Sequence, residues 1–168
     1  MAVIRPATVA DIATITAIYA HHVLHGTGTF EEEPPTREEM ARRMEKVASH
    51  GWPWLVAKDG PGLLGFAYAA QFRDRSAYRY SCEDSVYIHP DAMGRGIGAA
   101  LLGTLMTAAA EAGFRRMLAV IGDSANLGSI RLHLHHGFAH AGQFDNVGHK
   151  FGRDLDVVFM QRTLEALP

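Results

Sequence analysis

Val86-Tyr87-Ile88-His89-Pro90-Asp91-Ala92-Met93-Gly94-Arg95-Gly96-Ile97-Gly98-Ala99 is the stretch on which the fold turns. A short apolar run leads into a glycine-rich turn. The alanine- and leucine-rich segment 97–112 follows, a strong helix former broken at Gly113. Glycines let successive backbone N–H groups point into one concavity, and the helix start adds the positive end of its dipole. A pyrophosphate is the expected guest. Arg95 either reinforces that charge or faces water.

Upstream of the loop, Val3-Ile4-Arg5 before Pro6 reads as an edge strand. Thr8 with Asp11 opens a helix whose apolar face is Ile12, Ile15, Ile18, Tyr19 and Val23, ending near Gly26. Residues 26–35 hold two glycines and two prolines and cannot be regular structure. Thr36 with Glu39 caps a second, charged helix to about His50. Residues 54–57 and 64–72 form a hairpin across the turn Asp59-Gly60-Pro61-Gly62. An arginine-rich loop, 73–79, precedes a third strand over 83–88. Downstream, 117–121 is an apolar strand and 129–136 a helix ended by Gly137. Strands at 139–144 and 155–161 close the chain. This order predicts a mixed α/β fold around one sheet, with antiparallel pairs early and a crossover in the middle.

Length and composition bound the function. The 168 residues suit one domain, 1–168, able to bury a core without disulfides or structural metal. A net charge of -2 argues against nucleic acid as the main partner, which needs a basic face. A single cysteine, Cys82, permits no intrachain disulfide and suits a reducing, cytoplasmic setting. Met1 to Pro6 has no apolar run after a basic segment, so no signal peptide is expected. No stretch approaches the roughly 20 apolar residues of a membrane span, so no membrane partner is expected.

The glycine loop supports two ligand readings. Gly94, Gly96 and Ala99 match the dinucleotide pattern G-x-G-x-x-G/A, with Asp123 after the next strand as a ribose-binding acid. That reading makes the chain a dinucleotide-dependent oxidoreductase. Two features oppose it: five residues, His89 to Met93, separate strand from glycines, and the loop follows a helix pair and a hairpin. The segment Met93-Gly94-Arg95-Gly96-Ile97-Gly98 instead resembles the Q/R-x-x-G-x-G/A loop of the GNAT acetyltransferases, with Met93 in place of the usual Gln or Arg. The order of elements resembles that family along the whole chain.

The likeness narrows at Cys82-Glu83-Asp84-Ser85-Val86-Tyr87-Ile88, Ala119-Val120-Ile121-Gly122, Ser129-Ile130-Arg131-Leu132-His133 and Gly148-His149-Lys150-Phe151-Gly152-Arg153. These, with Asp156 and Gln161, resemble the phosphinothricin and methionine sulfoximine acetyltransferase group. The resemblance implies a GNAT fold with a mixed seven-stranded sheet flanked by helices. It also implies acetyl-CoA as donor, a small amino-acid-like acceptor bearing a sulfone, sulfoximine or phosphinate, and a homodimer. Asp154 departs from the Trp usual in that group. A third reading, an acyl-CoA sensor without turnover, is opposed by the retained Glu83 and His133.

Acetyl transfer to an amine needs a base, a donor for the thioester oxygen as it gains charge, help for the leaving thiolate, and orientation. Glu83 is the candidate base, where the group has its glutamate. Alternation puts Glu83, Ser85 and Tyr87 on one strand face and Cys82, Asp84, Val86 and Ile88 on the other. A backbone N–H in Val86, Tyr87 or Ile88, freed by a bulge, is the expected oxyanion donor. His133 is the second catalytic candidate, as acid or relay. The nearby His135, His136 and His140 weaken any argument from one histidine alone, and without a carboxylate or cysteine to complete a ligand set no metal is expected.

For the donor, the resemblance assigns the backbone of residues 86–88, the loop Gly94, Arg95, Gly96, Ile97, Gly98 and Ala99, and Asn126, with Ser129 as a possible cap. For the acceptor it assigns Phe30 and the loop Arg73, Asp74 and Arg75, alongside Glu83, Asp84 and Ser85. Guanidinium forks suit a carboxylate or phosphinate, and solvated loop arginines are the equal alternative. The run Glu31-Glu32-Glu33 reads as a solvated loop. Cys82 reads as a small buried residue and not a nucleophile, because nothing beside it lowers its pKa.

Overall fold

The computed structural model describes residues 1–165; the last three residues of the 1–168 span lie outside the described residues. Seven strands form one sheet: β1 (Val3–Pro6), β2 (Trp54–Asp59), β3 (Gly62–Gln71), β4 (Ser81–Ile88), β5 (Arg116–Gly122), β6 (Ala139–Lys150) and β7 (Arg153–Thr163). Their spatial order is β1-β2-β3-β4-β5-β7-β6. Four helices flank it: α1 (Ile12–His25), α2 (Arg37–Ser49), α3 (Ile97–Glu111) and α4 (Leu127–His135). Among the described residues no helix is long and apolar enough to cross a membrane.

The predicted element order holds. One face of the sheet buries Ile15, Ile18 and Val23 of α1 and Met40 and Val47 of α2 against Trp54, Val56 and Phe66. The other buries Leu101, Leu102 and Leu105 of α3 against Leu55, Ala67, Cys82, Met117 and Met160. Each fully buried leucine contributes about 1.5–3 kcal/mol. The first helix differs in its entry: Val9–Asp11 is a single 3-10 turn before α1 begins. The Asp11 carboxylate accepts from the Thr8 backbone N–H at 2.8 Å and takes both ends of the Arg5 guanidinium at 2.8 and 2.9 Å. Helix entry and β1 are thereby tied together.

The last two strands run longer than 139–144 and 155–161. β6 absorbs its irregular residues in register shifts between His140 and Gly142 and between Phe144 and Gly148. Pairing with β7 resumes beyond them as far as Lys150 and Arg153.

The decisive feature of the sheet is its one parallel pair. β4 and β5, joined by the α3 crossover, pair only at Ser81↔Arg116, Cys82↔Met117 and Glu83↔Leu118. Beyond Glu83 the two strands part, and the glycine loop and α4 border the gap.

Candidate active site

A cleft of about 910 Å³ occupies that gap. Backbone pairing explains its chemistry. β3 and β4 keep an unbroken antiparallel register from Gln71↔Cys82 to Gly65↔Ile88. The flanking bonds His89 N–H to Leu64 O and Phe72 N–H to Ser81 O set the phase. In an antiparallel ladder the groups directed at the partner alternate. Odd-numbered residues of β4 therefore bond to β3, and the N–H groups of Val86 and Ile88, beyond the last bridge at Glu83↔Leu118, face the cleft, where β5 has turned away. The expected bulge is absent. Splaying of the parallel pair frees these donors, and the Tyr87 N–H is not among them. The Ile88 carbonyl is occupied by His22 Nε2–H at 2.8 Å.

The glycine loop closes one end of the cleft. Gly94 (φ 74°) and Gly96 (φ 77°) are left-handed, a conformation costly for any residue with a Cβ. Gly96 is the residue from which α3 starts, and Gly94, Gly96, Ile97, Gly98 and Ala99 all line the cleft. Arg95 does not: it is half-exposed and its guanidinium lies 3.9 Å from Asp59, so of its two readings the solvent-facing one describes the structure. The other end belongs to α4. Asn126 caps that helix by accepting from the Ser129 N–H at 3.2 Å, so Asn126 and not Ser129 is the cap. Both line the cleft.

Side chains of β4 divide between the two faces as alternation predicted. Glu83, Ser85 and Tyr87 lie on the α1/α2 side. Burial, reinforced by the nearby Asp84 charge and eased by Arg73, pushes the Glu83 carboxyl up to about 7. Tyr87 is wedged among Tyr19, His22 and Phe66, with ring centroids 5.0–5.4 Å apart.

Asp84, expected among the acceptor contacts, does not lie on that face. Its even position sends it to the α3/α4 face, where it is 8% exposed and its carboxylate meets His133 Nε2 at 3.0 and 3.2 Å. His133 is 3% exposed, and its Nδ1 donates to the Ser129 carbonyl at 2.7 Å. Burial pulls the His133 pKa down, but the hydrogen bond to Asp84 and the Asp84 charge outweigh it, and the net direction is up. Cys82, on the same face, is fully buried, and its thiol pKa is pushed up by burial.

Phe30 stands at the α1/α2 end of the cleft. Its ring fits between Gly122 on β5 and Gly148 on β6, where an added Cβ on either glycine would overlap it. Lys150, 1% exposed, holds the loop beneath by donating to the Gly26 and Thr29 carbonyls at 2.8 and 2.9 Å. Asp123 (φ 73°) ties the same loop to the β6–β7 hairpin, accepting from Thr27 Oγ1 at 2.9 Å and pairing with Arg153 at 3.2 Å. These bonds commit it to protein partners. Glu31 is not simply solvated: it pairs with Arg43 of α2 at 2.8 Å.

The arginine loop is not drawn into the cleft. Arg73, Asp74 and Arg75 are exposed, and Asp74 lines a separate cavity of about 260 Å³ with Arg43, Lys46 and Trp54. Arg73 still acts on the Glu83 charge. Asp154 is exposed on the β6–β7 hairpin and pairs with His149 at 2.8 Å. The residues that sequence reading missed are His22, Thr27, Thr29 and Tyr68, all lining the cleft. Apart from the apolar face that carries His22, no motif marks them.

A pyrophosphate-shaped glycine turn, a splayed parallel pair with free N–H groups, and a carboxyl of raised pKa have clear relatives. The acetyltransferase (GNAT) domain profile matches residues 4–159. The chain belongs to the GNAT acetyltransferase family. The dinucleotide reading therefore falls away. Over 156 residues the chain is 52% identical to a phosphinothricin N-acetyltransferase of Alcaligenes faecalis, covering 93% of this chain and 79% of that protein. It is 39% identical over 162 residues to an L-methionine sulfoximine/L-methionine sulfone acetyltransferase of Salmonella typhimurium, covering 96% and 94%. A crystal structure of a GNAT superfamily phosphinothricin acetyltransferase from Sinorhizobium meliloti in complex with AcCoA superposes with a TM-score of 0.94 at 47% identity, covering 97% of this chain and 88% of that one. Among the described residues of this family member, no group of three or more His, Cys, Asp or Glu is placed to hold a metal ion.

Proposed function

We propose that this acetyltransferase moves the acetyl group of acetyl-CoA directly to the amine of a small amino-acid-like acceptor of the methionine sulfoximine, methionine sulfone or phosphinothricin type. The observation that carries the reading is the placement of Glu83. A carboxyl titrating at about 7 stands at the brink of a cleft whose other walls are a glycine loop and unpaired backbone donors.

The residues divide the work by face. On the α1/α2 side Glu83 takes a proton from the acceptor ammonium, a task that suits a base whose pKa lies near the working pH. The Phe30 ring and Ser85 shape the acceptor's berth, with Arg73 at its approach as the cation for an acidic end. In the cleft, Val86 and Ile88 N–H groups hold the carbonyl oxygen as the nitrogen adds to the carbonyl carbon. Gly94, Gly96, Gly98 and Ala99 present backbone at a helix start for the donor's pyrophosphate, and Asn126 borders its arm. On the α3/α4 side His133 supports the departing thiolate. The C–N bond forms and the C–S bond breaks. The ammonium sheds two protons, the sulfur gains one, and one is released to solvent.

The same reading places one acetyltransferase domain over 1–168 in the cytoplasm, working as a homodimer. Support for the dimer is β6, a twelve-residue edge strand exposed along nearly all its length and carrying Phe144 and Val147 at 58% and 59% exposure. Thiol release from acetyl-CoA with methionine sulfoximine, methionine sulfone and phosphinothricin, beside ordinary amino acids and polyamines, tests the activity. Saturable turnover on the first three is expected. Binding of CoA without turnover on any amine would leave a sensor.

A further inference from the structure

One cleft-facing group of β4 is already taken by a side chain. His22, on the last turn of α1, donates from Nε2–H to the Ile88 carbonyl at 2.8 Å, across 66 residues of sequence. A carbonyl only accepts, so Nε2 bears the proton. In an antiparallel ladder the N–H and C=O of one residue point to the same side. Beyond the last bridge to β5, the stretch 86–88 therefore turns the N–H and C=O of Val86 and of Ile88 toward the cleft. With His22 in place, the Val86 carbonyl is the acceptor that this stretch still offers. We propose that His22 is a positioning residue for the donor: by occupying the Ile88 carbonyl it confines the amide arm of acetyl-CoA to the register that bonds Val86.

The consequence is a matter of distance. Strand residues that face one side recur every second position, about 6.6–6.8 Å apart. An arm whose amide N–H bonded the Ile88 carbonyl in place of the Val86 carbonyl would lie that far toward the glycine loop and away from Glu83. Transfer needs the reacting atoms within about 3–3.5 Å, so a complex in that register is unproductive. The imidazole is well held for this task. Its ring packs against Tyr87 and His21, with centroids 5.4 and 5.6 Å away. The His22 carbonyl closes the end of α1 by accepting from the Gly26 N–H at 3.0 Å. Burial lowers the His22 pKa, ahead of the opposing effect of the Ile88 bond, so at pH 7 the ring is neutral and brings no charge to the arm. His22, Val86, Tyr87 and Ile88 all line the cleft.

This inference rests on the acetyltransfer reading, and its experiment separates the two. Ile88-His89 is the one Ile-His pair in the chain, so carbonyl carbon-13 isoleucine with nitrogen-15 histidine reports the Ile88 carbonyl as a single signal. His22→Phe keeps a ring beside Tyr87 and removes the donor, and its Ile88 signal is expected to move upfield. His22→Gln, which keeps an N–H donor, should bring it back. Added CoA should shift the Gly94 and Gly96 amides of both proteins, leave the wild-type Ile88 signal near its free position, and draw the His22→Phe signal downfield. With acceptor saturating, His22→Phe should lower kcat and the KM for acetyl-CoA by the same factor, roughly two- to tenfold. kcat/KM then stays unchanged, the mark of unproductive binding, and His22→Gln should recover both constants. A higher KM with a lower kcat/KM would make His22 a packing residue and overturn the proposal. So would a wild-type His22 Nε2–H signal that leaves its bonded position when CoA is added, because His22 would then only keep the place of the arm. If no glycine-loop amide responds to CoA, the donor reading fails and this inference with it.

Discussion

Glu83 carries a cost that can be measured. Its pKa of about 7 in the fold exceeds the roughly 4.3 of an unfolded chain, so the fold binds its proton more tightly. Its contribution to stability is full below the unfolded value and is lost as pH rises through about 7. Glu83→Gln should therefore raise the melting temperature at pH 8, relative to wild type, while lowering kcat by roughly 10²–10⁴-fold. Calorimetry beside the thiol assay reads both. In the wild type, kcat/KM for the acceptor should climb with pH through about 7, because only the ionised carboxylate takes the ammonium proton. Much of this residue was legible beforehand: its motif and its strand parity both point to it. Asp84 was misread one position away. Parity had already put it on the far face, but only the packing of α4 on that face supplies His133 as its partner.

Among the elements, the loop after α1 is held by three attachments: Lys150 below, Asp123 beside, and Phe30 between two glycines. Gly148→Ala should push the Phe30 ring out of its slot and destabilise the fold by about 1–3 kcal/mol. The KM for the acceptor should rise several-fold with the KM for acetyl-CoA little changed, which steady-state kinetics would separate. The entry to α1 makes a second case. Asp11, paired with Arg5 and capping through Thr8, has its pKa lowered to about 2, chiefly by the Arg5 hydrogen bond. Its stabilisation is present above about 4 and is lost as pH falls toward 2. Asp11→Asn should lower the melting temperature at pH 7 and narrow the gap to wild type near pH 2. The capping pair was readable in sequence, but its third member, Arg5, was not, because a strand and a helix entry meet only in the fold. The length of β6 was hidden for a related reason. The ladder with β7 carries the strand past its irregular residues, and that pairing exists only in the fold.

At the scale of the molecule, the unpaired edge strand β6 bears on assembly. Sedimentation should give twice the chain mass for the proposed homodimer, and Phe144→Glu on the exposed edge should shift it toward the monomer. A single-chain mass at all working concentrations would remove the dimer. The chain's sequence by itself determined the order of elements, the cap of the second helix, the glycine loop, the strand face of Glu83 and the family likeness. These are local properties, set by hydrophobic period, capping chemistry and the conformational freedom of glycine. Only the tertiary structure decided where β4 leaves β5, which backbone donors that frees, and that Asp84 and His133 meet. Each of these depends on contacts between segments far apart in the chain, whose geometry is set when both faces of the sheet are packed.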